Sequence, residues 1–186
     1  MKKILAAAAM PLLLSACVSA RDATVTIAYA PASLAETPFN LRVGEFTRTL
    51  PEKVAPNQFE TSGYTFNKQI SLSEPLADYL KNAFVQEARH AGASLRDVPA
   101  CTISATINHM QLISNGGTKL KWTSDVVYAV EAAPDARITV PVSASVDTSV
   151  NSAEAGHTQF ITKTIDGILL NQAFLAFAKM HCHRTS

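Results

Sequence analysis

Apolar and polar residues alternate most regularly in the second half of the chain. Cys101, Ile103, Ala105 and Ile107 alternate with Thr102, Ser104, Thr106 and Asn108. Leu120, Trp122, Val126, Tyr128 and Val130 alternate with Lys121, Thr123, Asp125 and Glu131. Ile138, Val140, Val142, Ala144 and Val146 alternate with Thr139, Ser143, Ser145 and Asp147. A period of two predicts half-buried strands, and Asn115-Gly116-Gly117 and Pro134-Asp135 between them are turn residues. Such a meander turns one face to helices and the other to water. Pro141 cannot donate to a ladder, which places the third strand at an edge or a bulge.

Two stretches change to helical spacing. Leu76, Tyr79, Leu80, Ala83, Phe84, Ala88 and Ala91 form one stripe, opposite Asp78, Lys81, Asn82, Gln86 and Arg89. Ser73 suits a cap for this helix, Pro75 its first turn and Gly92 the position just past its end. The second helix is expected over 158–180, with Ile161, Ile165, Ile168, Leu169 and Leu175 as its core stripe. Ala173 to Ala178 leaves no polar face there, so Phe174 and Phe177 are either core or a contact surface for a partner or a second copy.

The first half is less regular. Thr24–Ala30 and Phe39–Phe46 read as strands, and the polar segment 49–71, with Pro51, Pro56 and Gly63, reads as a loop with a short strand near 64–66. Loops of that length in compact domains are functional or mobile. The order β-α-β-β-β-α defines the expected fold class, an α+β two-layer sandwich with an antiparallel sheet and two helices on one face.

The N-terminus has a different logic. Lys2 and Lys3 precede about ten apolar residues from Ile4 to Leu14, closed by the small Ser15 and Ala16. A membrane-spanning helix needs roughly 20 such residues, and here Ser19, Arg21 and Asp22 arrive too soon. The run is a secretory signal, and Leu14-Ser15-Ala16-Cys17 resembles the lipobox of bacterial lipoproteins. That resemblance implies cleavage before Cys17 and lipidation of its thiol. Two or three acyl chains, at about 0.8 kcal/mol per buried methylene, hold a protein stably on a bilayer. Residues 1–16 are then the signal peptide, 17–23 the lipidated tether and 24–186 one domain. Val18, where an Asp commonly signals inner-membrane retention, favours the outer membrane on its periplasmic side.

Cleavage removes Lys2 and Lys3, so Lys+Arg falls from 16 to 14 against 15 acidic side chains. A near-neutral chain without a basic stripe excludes nucleic acid as a natural partner. The expected partners are the membrane, through the anchor, and envelope proteins or a second copy.

Catalytic signatures are missing: there is no HExxH, Gly-x-Ser-x-Gly, phosphate-cradling glycine loop or CxxC. No enzyme activity and no cofactor are expected. His181-Cys182-His183 suggests a metal tripod, with His90 or His109 as further ligands, but residues two apart on a helix point in different directions. With Cys17 lipidated, Cys101 and Cys182 remain in an oxidising compartment and are expected to bridge. An up-down-up meander followed by a returning helix brings Cys182 to the level where the Cys101 strand begins.

The mature chain also resembles the YajG-type family of small bacterial lipoproteins. The resemblance is carried by the lipobox, Val43-Gly44-Glu45-Phe46-Thr47, Pro75-Leu76-Ala77-Asp78-Tyr79-Leu80, Glu87-Ala88-Arg89-His90-Ala91-Gly92 and the strand from Cys101. Thr47-Arg48-Thr49-Leu50-Pro51 departs from it by lacking an acidic residue. Auxiliary lipoproteins of lipid-transporting ABC systems and lipopolysaccharide-assembly lipoproteins have a similar strand–helix order. The resemblance implies a non-catalytic envelope component, with an accessory transport subunit as the alternative.

Overall fold

A computed structural model describes residues 29–63, 71–95, 101–114, 116, 118–132 and 135–182. The expected signal peptide, Cys17 and the expected tether, most of the expected strand 24–30, and the strand expected near 64–66 lie outside these residues.

The expected meander forms three long strands, β4 (Cys101–Ser114), β5 (Lys119–Ala132) and β6 (Ala136–Ser149), paired antiparallel. Their apolar positions face one layer, where Ile103, Ile107, Val126, Tyr128 and Val130 are fully buried. A register shift between Ile107 and His109 reverses the alternation in β4. Beyond it Met110 and Leu112 take the buried face while His109 and Gln111 turn outward.

Three further strands make the sheet mixed instead of purely antiparallel. β1 (Asn40–Arg48) runs parallel to the first half of β4, and β2 (Glu60–Gly63) runs parallel to its second half. The two-residue β3 (Ser94–Leu95) runs parallel to β1 at the edge. The parallel pairing of β1 and β4 needs a long crossover, which α1 (Leu76–His90) supplies. Strand order along the main path is β3-β1-β4-β5-β6.

Helix α1 starts at Leu76 with Pro75 as its N-cap residue, and no side chain caps it; Ser73 does not fill that role. Its end is as the sequence reads. Gly92 takes φ +89°, the Gly92 N–H bonds the Arg89 carbonyl, and the Ala93 N–H bonds that of Ala88. That is a Schellman ending, for which glycine is suited.

The final helix is two helices, α2 (Ala153–Leu169) and α3 (Gln172–His181). Asn171 separates them because its side chain accepts from the amides of Ala173 and Phe174, capping a new start. On α2, Gly156 and Gly167 are eleven residues apart, about three turns, so they share a face. A Cβ at Gly167 would lie 2.2 Å from Val142 Cγ1, and one at Gly156 would lie 2.7 Å from Thr148. The two glycines let α2 lie directly on β6.

Strand β6 is a sheet edge, as Pro141 predicts. Lys163 of α2 donates from Nζ to the Ser145 carbonyl at 3.0 Å, occupying one of its outward groups. A proline and a lysine both discourage another strand from adding there.

Candidate functional site

Among the described residues, the densest polar cluster seats the N-terminal arm, residues 29–39, against the helices. Glu87 of α1 is fully buried. Its Oε1 accepts from the Tyr29 hydroxyl, from the Ala32 N–H at 2.9 Å and from the Thr162 hydroxyl at 3.3 Å. Its Oε2 accepts from the Ser33 N–H at 3.0 Å. The Ser33 hydroxyl in turn donates to Asp166 of α2. Burial pushes the Asp166 carboxyl up, the Ser33 bond partly offsets this, and the Glu87 charge adds to the rise. Burial, then the hydrogen bond to Glu87, keeps the Tyr29 phenol protonated.

This arrangement is a clamp. A buried carboxylate gains most from charge-assisted N–H and O–H donors, and here its bonds come mainly from the arm. The sequence held a signal for it. Glu87 lies four residues after Ala83, inside the apolar stripe of α1, where a charge needs buried partners.

A second cluster closes one end of the molecule. A disulfide joins Cys101 at the start of β4 to Cys182 after α3, with Cα atoms 5.2 Å apart and both residues buried. The Asn40 N–H bonds the Cys182 carbonyl at 3.1 Å, and Leu41 pairs with Cys101. The start of β1, the start of β4 and the end of α3 thus meet at one point. Because its sulfur is bonded to Cys101, Cys182 is not available as a metal ligand. Of the other tripod candidates, His181 is exposed, His109 pairs with Glu60 at 2.7 Å, and His183 lies outside the described residues. Among the described residues no three His, Cys, Asp or Glu side chains converge to hold a metal.

Phe174 and Phe177 require a correction. Phe174 is fully buried, Phe177 is 8 % exposed, and Phe174 packs edge-to-face on Phe39 at 6.3 Å. They are core and do not form a docking face. The break at Asn171 reorients α3 so that both rings point inward, and its exposed positions include the small Ala173 and Ala176. The lack of a polar face in the sequence therefore reflects alanines facing water.

The third cluster has no forerunner in the sequence reading. His157, in the first turns of α2, is fully buried among Phe59 (ring centroids 5.6 Å apart), Tyr79 (5.5 Å) and Trp122 (5.3 Å). Among the described residues neither of its ring nitrogens has a hydrogen-bond partner, nor do Trp122 Nε1 and the Tyr79 hydroxyl. Burial lowers the His157 pKa to about 4, so the ring is neutral and serves as packing.

No family model matches the chain, and no curated relative matches it. Solved structures do match. A Xanthomonas campestris protein, XCC0632 of family DUF330, aligns at 12% identity over 83% of this chain and 95% of its own, with a TM-score of 0.58. A second, uncharacterised protein aligns at 16% identity over 78% of this chain and 98% of its own, with a TM-score of 0.54. At these identities the likeness shows a shared fold, and neither match supports the YajG-type assignment in particular.

Proposed function

We propose that the protein is a non-catalytic envelope lipoprotein, anchored through Cys17 at the periplasmic side of the outer membrane, that binds or scaffolds another envelope component. The carrying observation is the signal-like run ending in Leu14-Ser15-Ala16-Cys17. The domain supports it in how it receives the chain. Twelve residues beyond Cys17, Tyr29 is fastened by Glu87 and Thr162, so a short linker of up to about 40 Å separates the anchor from a fixed point. None of the described helices is long and apolar enough to cross a membrane, which leaves attachment in this reading to the lipid. A non-catalytic role is supported by how the acidic, hydroxyl and phenol groups of the Glu87 cluster are used, since they bond one another and the arm.

The alternative, an accessory subunit in lipid transport, rests on the resemblance to auxiliary lipoproteins and places the partner contact at the sheet–helix interface or the apolar last helix. Burial of Phe174 and Phe177 takes those two rings out of such a contact. Metabolic labelling with palmitate, followed by membrane fractionation, tests the proposal. The intact protein should be labelled and pellet with outer membranes, whereas Cys17→Ser should be unlabelled. Equal labelling and pelleting of Cys17→Ser would overturn it.

A further inference from the structure

Five large apolar side chains are exposed among the described residues, and three of them, Leu34, Leu170 and Met180, belong to one side of the molecule. The arm and α3 run between the same two points. At one end the Ser33 hydroxyl bonds Asp166, whose carbonyl accepts the Leu170 N–H at 2.9 Å just before α3 begins. At the other end the Asn40 N–H bonds the carbonyl of Cys182, which follows closely after Met180. Between them Phe39 packs on Phe174.

The arm alternates: Ser33, Ala35, Thr37 and Phe39 are buried, while Leu34, Glu36 and Pro38 face outward. Leu34 is 94% exposed although both its neighbours are fixed, Ser33 by Glu87 and Asp166 and Ala35 by burial in the core. It is held out of the fold. On α3, Ala173, Ala176 and Met180 share one face at spacings of three and four, and Met180 is 64% exposed. Leu170, 51% exposed, continues that stripe toward the Asp166 end of the arm. A lone exposed leucine needs no explanation, but a continuous apolar strip does. Exposed Arg89, at the end of α1 where the Ala91 carbonyl holds the Thr37 N–H, and exposed Lys179 flank it, and Glu36 opposes their charge.

We propose, on the reading that Cys17 is lipidated, that this side of the domain lies on the bilayer holding the anchor, with Leu34, Leu170 and Met180 among the headgroups. The occupant follows from where the lipid-bearing chain joins the domain. Tyr29 lies twelve residues after Cys17 and five before Leu34, so a linker of up to about 40 Å delivers the anchor to this side. A few apolar side chains hold a membrane weakly by themselves, but the tether makes their contact intramolecular and raises the effective concentration. Arg89 and Lys179 can lay their stems over apolar surface while their charged ends reach lipid phosphates. The outer face of the sheet is then turned away from the bilayer.

The methionines provide the test. Met1 and Met10 fall in the expected signal peptide, which leaves Met180 on the proposed face and the fully buried Met110 as an internal reference. The lipidated protein, labelled with ¹³C-methyl methionine, would be placed one copy per nanodisc of phosphatidylcholine and phosphatidylglycerol. A nitroxide near the headgroup end of an acyl chain should broaden Met180 strongly and Met110 little. Leu34→Glu, at an exposed position, should leave the Met110 resonance in place and the protein on the disc. It should lower the ratio of docked to free domain about tenfold, and with it the broadening of Met180. Disc-bound protein whose Met180 is broadened no more than Met110 would show a domain hanging free from its tether and overturn the proposal. Met180 broadening unchanged by Leu34→Glu would overturn it as well. A Met180 resonance that responds to a second copy per disc, and not to the nitroxide, would assign the face to self-association instead. Protein that does not stay on the disc would sink the Cys17 anchor and this docking with it, a failure read from retention and not from Met180.

Discussion

His157 illustrates how a single buried side chain sets a response to acid. Its folded-state pKa of about 4 lies below its ordinary 6.5 because burial penalises the imidazolium. Above pH 6.5 neither state binds the proton and the folded protein has its full stability. As pH falls from 6.5 toward 4 the unfolded chain binds a proton that the folded chain refuses, and stability drops by on the order of 3 kcal/mol. His157→Phe keeps an aromatic ring and removes the titration. Urea denaturation at pH 7.5 and pH 4.5 should show most of this loss in the parent protein and a much smaller one in the variant. The residue was not legible beforehand, because a lone His beside the expected helix start carries no sign of burial. Glu87 was legible in principle from its place in the α1 stripe. Its partners were not, since Tyr29, Ala32 and Ser33 lie more than fifty residues away in sequence.

Elements whose two faces differ in polarity were readable, and those defined by direction or by a local competition were not. The alternation in β4, β5 and β6 placed those strands within a few residues of their observed ends. Nothing in a period of two tells a parallel strand from an antiparallel one, so the pairing of β1 with β4 emerged only with the structure. The split between α2 and α3 had a local cause in Asn171, overshadowed by apolar spacing that runs through it. Helix α2 also carries a testable conflict. Gly167→Ala would gain up to about 1 kcal/mol of helix propensity, but its methyl would strike Val142 at 2.2 Å. Overpacking against a stiff β-branched side chain costs about 1–3 kcal/mol, so thermal denaturation should show a net loss. The arm gives a second prediction at this scale. In Glu87→Gln an amide nitrogen replaces one acceptor, opposing either the Ala32 or the Ser33 N–H. We expect about 1–3 kcal/mol of destabilisation and faster hydrogen exchange confined to residues 29–35. Exchange spread evenly over the sheet would show that the clamp serves the whole fold.

For the whole molecule, the α+β sandwich followed from the order of elements, and the convergence of Cys101 with Cys182 from counting strand directions. The bridge spans 81 residues of sequence. In the chain-entropy model a loop of that length stabilises by roughly 4–5 kcal/mol. Replacing both cysteines by serine should lower the urea midpoint accordingly, with a steeper slope because the denatured chain without its crosslink exposes more surface, and equal midpoints would show that the bridge contributes nothing. The clamp was not visible at this scale from sequence. It is assembled from the arm, whose conformation no periodicity encodes.

The place where the chain enters the domain has a mechanical consequence. Any pull delivered through the arm first meets the bonds to Glu87, which can yield one by one. Past them it reaches the start of β1, where Asn40 is bonded to Cys182 and Leu41 lies beside Cys101. Force along β1 loads its ladder with β4 in shear, so many hydrogen bonds resist together. At the same end the disulfide carries part of the load covalently between β4 and α3. The molecule therefore has a soft first stage and a stiff second one. A stretched linker would release the arm well before it disturbed the sheet.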